Sequence, residues 1–199
     1  RKIIKADLVA NPGCYPTAVI LGLLPAVQNE LIELDSIIAS AVSGVSGAGR
    51  RAVQSEEFAS FKESFKAYGA FSHRHLPEIE QTLTDIKKNK DVDLTFMPHL
   101  VSMHRGIHTT IYTKTTYHEN EIKNYYTNFY SKEKFVDLMP EGSYPETKKV
   151  LMTNMCNIAL HFSSKEPQQL VIFSVIDNLV KGAAGQAIQN MNIMFGFDE

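Results

Sequence analysis

Residues 107 to 114 alternate without a break. Ile107, Thr109, Ile111 and Thr113 fall on one side, and His108, Thr110, Tyr112 and Lys114 on the other. Period two is the signature of a strand with one buried face. Other strand-like runs cover Ser36 to Val42, Val92 to Met97, Cys156 to Phe162 and Leu170 to Ile176, and a Pro98-His99-Leu100 segment joins Val92 to Met97 to the β-rich run Gly106 to Thr116 that holds the alternation. The strands cluster in the second half without a helical pattern between each pair. The pattern predicts an α+β fold, a mixed and largely antiparallel sheet covered by helices.

The covering helices are legible as well. Thr17 to Glu30 is apolar and helix-like, with Pro25 placed to bend or end it. Pro77 suits a first helical position, and Ile79, Leu83 and Ile86 follow at helical spacing. Val53 to Tyr68 and Glu119 to Ser131 read as helices. Ala183 to Met194 reads as a closing helix entered through Gly182, with Ile188, Met191 and Met194/Phe195 on one face. Ala6 to Ala10 reads as a strand end, followed by turn chemistry at Asn11-Pro12-Gly13.

Composition bounds the function classes. The 199 residues are 44% hydrophobic and 21% charged, enough for one domain with a sizeable core. A formal net charge of -2 favours neither nucleic acid nor an anionic membrane. No apolar run approaches the ~20 residues that span a bilayer, and the first residues lack a signal-peptide core. Two cysteines, Cys14 and Cys156, argue against a disulfide framework and for a reduced, cytoplasmic protein. No Gly-x-Gly-x-x-Gly fingerprint opens a βαβ unit. The Ser43 to Gly49 stretch holds three glycines but no acidic ribose partner follows, so it reads as a substrate-side loop.

Cys14 is the residue with chemistry. The Asn11-Pro12-Gly13 turn delivers it to the start of an apolar helix, where free N–H groups and the helix dipole favour a thiolate. A free thiol titrates near ~8.5, and lowering that by about two pH units takes about 2.7 kcal/mol. A helix end and one imidazolium together supply that order of energy, and the same N–H groups suit an oxyanion. The opposing reading is a buried cysteine acting as a small hydrophobe. Cys156, at the start of a strand, fits that second reading.

Val9-Ala10-Asn11-Pro12-Gly13-Cys14-Tyr15-Pro16-Thr17 resembles the active-site signature of the N-acetyl-γ-glutamyl-phosphate reductases. His73-Arg74-His75-Leu76-Pro77-Glu78, the segment from Phe96 to Ile107, and the segment from Asp177 to Asn192 resemble that family in the same order. The last segment is shared with aspartate-semialdehyde dehydrogenases and discriminates less. The resemblance implies a domain like the C-terminal domain of glyceraldehyde-3-phosphate dehydrogenase, with residues 1–199 binding substrate, carrying the nucleophile and forming a homo-oligomer. It also implies an N-terminal NADP-binding Rossmann domain that this chain does not contain.

The resemblance assigns roles residue by residue. Cys14 is the nucleophile that takes the acyl group from an acyl phosphate; His73 is the base, with Glu78 as its carboxylate partner; His75 is an alternate base or a substrate contact. Arg105 holds a substrate carboxylate by bidentate geometry. Beside the resemblance, Ser43, Ser46 and the backbone of residues 44–49 are expected to cradle phosphate, as a nest of N–H groups does. Asn178 contacts the nicotinamide of NADP(H), beside Gly182. A zinc site is the rival use of the histidines, with His104 and His108 four apart and His99 near, but the region reads as strand and loop rather than helix. Two other readings stay open: a related semialdehyde dehydrogenase of the aspartate or α-aminoadipate pathway, and a non-catalytic dimerisation fragment.

Overall fold

The computed structural model describes residues 2–49, 63–88, 90, 92–165 and 168–198. The strands are β1 (Ile37–Gly44), β2 (Phe65–Ala67), β3 (Leu94–Val101), β4 (Ile107–Thr115), β5 (Val136–Leu138), β6 (Cys156–Phe162) and β7 (Gln168–Ile176). They form one sheet in the order β2-β3-β1-β4-β7-β6-β5. β1 with β3 and β5 with β6 run parallel; the other pairs are antiparallel. The mixed, largely antiparallel α+β sheet is therefore as the sequence predicts. The alternating run is β4, and its buried side packs on the helices.

The helices are α1 (Cys14–Gln28), α2 (Leu76–Lys87), α3 (Glu119–Tyr130), α4 (Thr147–Val150) and α5 (Gly185–Phe195). α1 lies on β4 and β7, and α2 and α3 flank it. Val19, Leu23, Ile79, Leu83, Ile122, Phe96, Ile111 and Ile172 close the core between helices and sheet. The other sheet face is open, with Ile38 and Tyr112 exposed side by side in paired register and Phe173 half-buried beside Thr110.

Pro25 neither ends nor breaks α1. A proline at this point removes the N–H that would bond the Leu21 carbonyl, and the hydroxyl of Tyr130 on α3 donates to that carbonyl instead. Tyr126 donates to the next carbonyl, that of Gly22, at 2.7 Å. The proline is thus absorbed by tertiary hydrogen bonds.

Four readings need correction. Ala6 to Ala10 is not a strand; it follows a short 3-10 turn (Ile3–Lys5) as irregular chain. Most of Val53 to Tyr68 lies outside the described residues, and its described end is strand β2 rather than helix, paired to Val101, Leu100 and His99. Pro98, His99 and Leu100 are not a connection. β3 runs through them, and the parallel pairing with β1 carries Pro98 opposite Ala41. The closing helix does not start at Ala183; a π turn (Val180–Ala184) precedes α5, a local widening often found at functional sites.

Candidate active site

Cys14 is the first residue of α1 and Gly13 is its cap. With Pro16 in the first turn, the N–H groups of Cys14 and Tyr15 are the donors at the thiol, and both favour its ionised form. Burial opposes them and is the larger effect, so the thiol sits above its ordinary pKa, with Glu78 adding to the rise and Arg74 opposing it. The helix end therefore does not give a standing thiolate, contrary to the expectation from the sequence. Cys14 is half-buried, whereas Cys156 is fully buried against Ser174 Oγ at 3.4 Å and its thiol is pushed up to about 11, chiefly by that burial.

His73 and His75 converge on the same place. Their rings lie 4.8 Å apart, and Tyr15, the residue after the cysteine, meets them edge-on at 5.5 and 6.0 Å. A Cβ on Gly13 would lie 2.5 Å from His75 Nε2, so only glycine lets that ring approach the cysteine loop. The imidazoles are neutral rather than protonated. Burial, then the neighbouring charges, lowers His75 to about 4 and draws His73 down as well. His73 Nδ1 accepts the N–H of His75 at 3.1 Å, which leaves the neutral ring's hydrogen on Nε2. No such bond fixes His75, whose Nδ1 is buried without a partner.

Glu78, expected to orient His73, instead accepts the Gly13 N–H at 2.9 Å. Arg105 is expected to grip a substrate carboxylate with its bidentate edge; that edge is occupied. Nε and one terminal nitrogen hold Asp177, at 3.2 and 2.9 Å from Oδ1, and Nε lies 2.9 Å from Oδ2. Asp177, fully buried at the end of β7, also accepts the N–H groups of Met152, Leu179 and Val180. Asn178 Oδ1 accepts the Gly106 N–H at 2.6 Å, and Nδ2 donates to Ser46 Oγ at 3.0 Å, which leaves one amide hydrogen uncommitted by these bonds. Ser43 is buried and its hydroxyl donates to the Gly44 carbonyl, so it does not face a phosphate. Ser46, in a 3-10 turn (Val45–Ala48), is half-exposed and keeps its own O–H to donate.

Gly182, in the π turn, packs on Cys14 itself: a Cβ there would sit 2.7 Å from Cys14 Cβ. Sequence reasoning missed Asp177, Gln186 and the Tyr15–Tyr68 hydroxyl pair at 3.1 Å. The Asp177-Asn178 dipeptide at a strand end was the available signal for the first. Among the described residues, no group of three or more His, Cys, Asp or Glu side chains is arranged to hold a metal ion, and no helix is long and apolar enough to cross a membrane.

A cysteine heading a helix, with the His75 ring against its Gly13 cap and Gly182 packed on it, on a mixed sheet with one open face, is an arrangement that suits thiol chemistry. Solved structures share the fold. Aspartate semialdehyde dehydrogenase II from Vibrio cholerae matches with a TM-score of 0.73 and 14% identity, over 96% of this chain and 63% of that one. A probable aspartate-semialdehyde dehydrogenase from Pseudomonas aeruginosa matches with a TM-score of 0.73 and 17% identity, over 94% and 62%.

Residues 14–178 match the semialdehyde dehydrogenase dimerisation domain, and the chain belongs to that family. Among curated relatives, the N-acetyl-gamma-glutamyl-phosphate reductase of Nitrosospira multiformis is 54% identical over 201 residues, covering 100% of this chain and 57% of that protein. The protein of the same name from Saccharophagus degradans is 50% identical, covering 100% and 58%. The chain thus spans about 58% of the length of the curated relatives it matches.

Proposed function

We propose that this chain is the catalytic and dimerisation part of a cytoplasmic N-acetyl-γ-glutamyl-phosphate reductase of arginine biosynthesis, working with an N-terminal Rossmann domain. The observation that carries it is whole-chain identity of about half to relatives of that name, with the cysteine, histidine and glycine constellation gathered at one helix end. The aspartate-semialdehyde reading has only structural likeness at 14–17% identity behind it.

The chemistry starts from a neutral thiol beside neutral imidazoles. As Cys14 Sγ attacks the acyl-phosphate carbonyl, its proton passes to an imidazole. His75 is the better acceptor, because its Nε2 faces the cysteine loop and no hydrogen bond fixes its tautomer, whereas His73 Nδ1 is engaged. The S–C bond forms, the carbonyl oxygen takes negative charge near the N–H groups of Cys14 and Tyr15, and the C–O bond to phosphate breaks to leave a thioester.

NADPH, by family resemblance, supplies the hydride that takes the thioester to the semialdehyde. In this chain the uncommitted hydrogen of Asn178 Nδ2 suits the amide of the nicotinamide, and the close packing of Gly182 on Cys14 keeps the turn that follows Asn178 beside the sulfur. The guanidinium nitrogen of Arg105 not spent on Asp177 is left for the substrate carboxylate, and the Ser46 hydroxyl and the N–H groups of Gly47 and Ala48 for the phosphate. The open sheet face around Ile38, Tyr112 and Phe173 is the dimer surface.

Alkylation of this chain at pH 7, read by mass spectrometry, is expected to modify Cys14 well before Cys156. Equal and slow labelling of both would sink the nucleophile assignment. NADPH-dependent turnover is expected from the coding sequence extended upstream with N-acetyl-γ-glutamyl phosphate, and negligibly from this chain alone.

A further inference from the structure

One peptide unit, between Pro12 and Gly13, is gripped at both ends by side chains from different helices. Its C=O accepts from Gln186 Nε2 at 3.0 Å, and its N–H donates to Glu78 Oε1 at 2.9 Å. The second hydrogen of Gln186 Nε2 goes to Thr17 Oγ1, also at 3.0 Å, and that hydroxyl donates to the Gly13 carbonyl at 2.9 Å. Gln186 therefore ties the chain two residues before Cys14 to the chain three residues after it. It is only 7% exposed, so water does not compete for these bonds. Both amide hydrogens are used, and a side chain of the same shape without two donors cannot make both contacts.

From this geometry we infer that Gln186 is a positioning residue for Cys14, fixing the orientation of the helix turn that carries the nucleophile without touching the reacting atoms. The inference rests on the proposed role of Cys14. The first N–H groups of α1 stabilise the ionised sulfur only while the Pro12–Gly13 peptide holds its angle; a free peptide plane rotates and carries that turn with it. Gln186 stands one residue past the start of α5, directly after the π turn that places Gly182 over the cysteine. One glutamine thus sets the sulfur in register with the turn above it.

Gln186→Met keeps the length and removes both donors; Gln186→Glu keeps the shape and puts a carboxylate against the Pro12 carbonyl. The measurement is the rate of Cys14 alkylation by iodoacetamide against pH, sited by mass spectrometry, with circular dichroism alongside. Both variants are expected to keep the native spectrum. Their reactivity midpoint should move up by about half to one pH unit, and the rate at pH 7 should fall about three- to tenfold, as the thiolate fraction does. A folded variant with the unaltered profile overturns the inference, and so does loss of fold in both variants, which would make Gln186 a structural residue. If Cys14 of the unaltered chain is inert, the functional reading falls first; if it is reactive and indifferent to both variants, this inference alone falls.

Discussion

Gly182→Ala sets two effects of similar size against each other. Gly182 does not occupy the left-handed region, so alanine meets no backbone penalty there, and by helix propensity alone it gains up to about 1 kcal/mol. Against this, the added Cβ would lie 2.7 Å from Cys14 Cβ, 3.1 Å from Cys14 Cα and 3.3 Å from Ile176 Cδ1. Comfortable carbon contacts fall near ~3.5–4.0 Å, so the overlap with Cys14 is close to an ångström. Ile176 Cδ1 ends a flexible side chain and swings away. Cys14 Cα and Cβ are part of the first turn of α1, so relief requires the helix end or the π turn to move. Overpacking costs about 1–3 kcal/mol, and an overlap near an ångström against a helix turn falls in the upper half of that range, so a cost of about 2–3 less a gain of about 1 leaves a net loss of about 1–2 kcal/mol. For a chain of this length that lowers the melting temperature by about 2–8 °C. Thermal unfolding followed by circular dichroism measures it, and Cys14 alkylation should slow in the same sample. A melting temperature equal to or above that of the unaltered chain would falsify the claim that the π turn rests on Cys14.

Other consequences are as open to measurement. Glu78→Gln keeps an acceptor for the Gly13 N–H while removing a charge that, after burial, helps hold the Cys14 thiol up; alkylation at pH 7 should quicken about two- to threefold, and a slower rate would restore Glu78 to orienting a charged histidine. Asp177→Asn leaves Arg105 without its buried counter-charge and should cost about 3–5 kcal/mol, roughly 6–20 °C in melting temperature; a change under about 2 °C would mean the pair is not under load. His75 stays neutral in the fold down to about 4, because its ring is desolvated and faces His73 and Arg74, whereas an unfolded histidine takes up its proton near ~6.5. The stability this represents is whole above about pH 6.5 and lost as pH falls toward about 4, on the order of 1–2 kcal/mol for a half-exposed ring. Urea midpoints at pH 7 and pH 5 should differ accordingly, and His75→Gln should narrow the gap; an equal gap in that variant would refute the assignment.

Local signals carried the elements whose patterns are local. The alternation of β4, the limits of β6 and the Pro77 start of α2 follow from spacing alone. Elements that depend on partners distant in sequence did not read through. Pro98 looks like a strand break until β1 lies parallel beside β3, and Pro25 looks like a helix stop until Tyr130, more than a hundred residues away, takes the orphaned carbonyl. The site divides the same way. The motif around Cys14 and the two histidines was visible, since each lies in a short turn-to-helix phrase. The charge state of the sulfur was not, because desolvation comes from packing that no motif spells out. Nor was the engagement of Arg105, whose acceptor stands seventy-two positions on.

The Asp177-Asn178 pair ties four separate stretches of chain: the Arg105–Gly106 corner, the Ser46 turn, the backbone at Met152 and the start of the π turn. Such a knot answers to any single change as a whole. Replacing one of its members to alter substrate preference disturbs every loop it fastens, so relatives that diverge in the acyl group they accept must do so at residues outside it. The knot sets which parts of the molecule evolution is free to retune, and it confines that freedom to residues that none of its bonds reach.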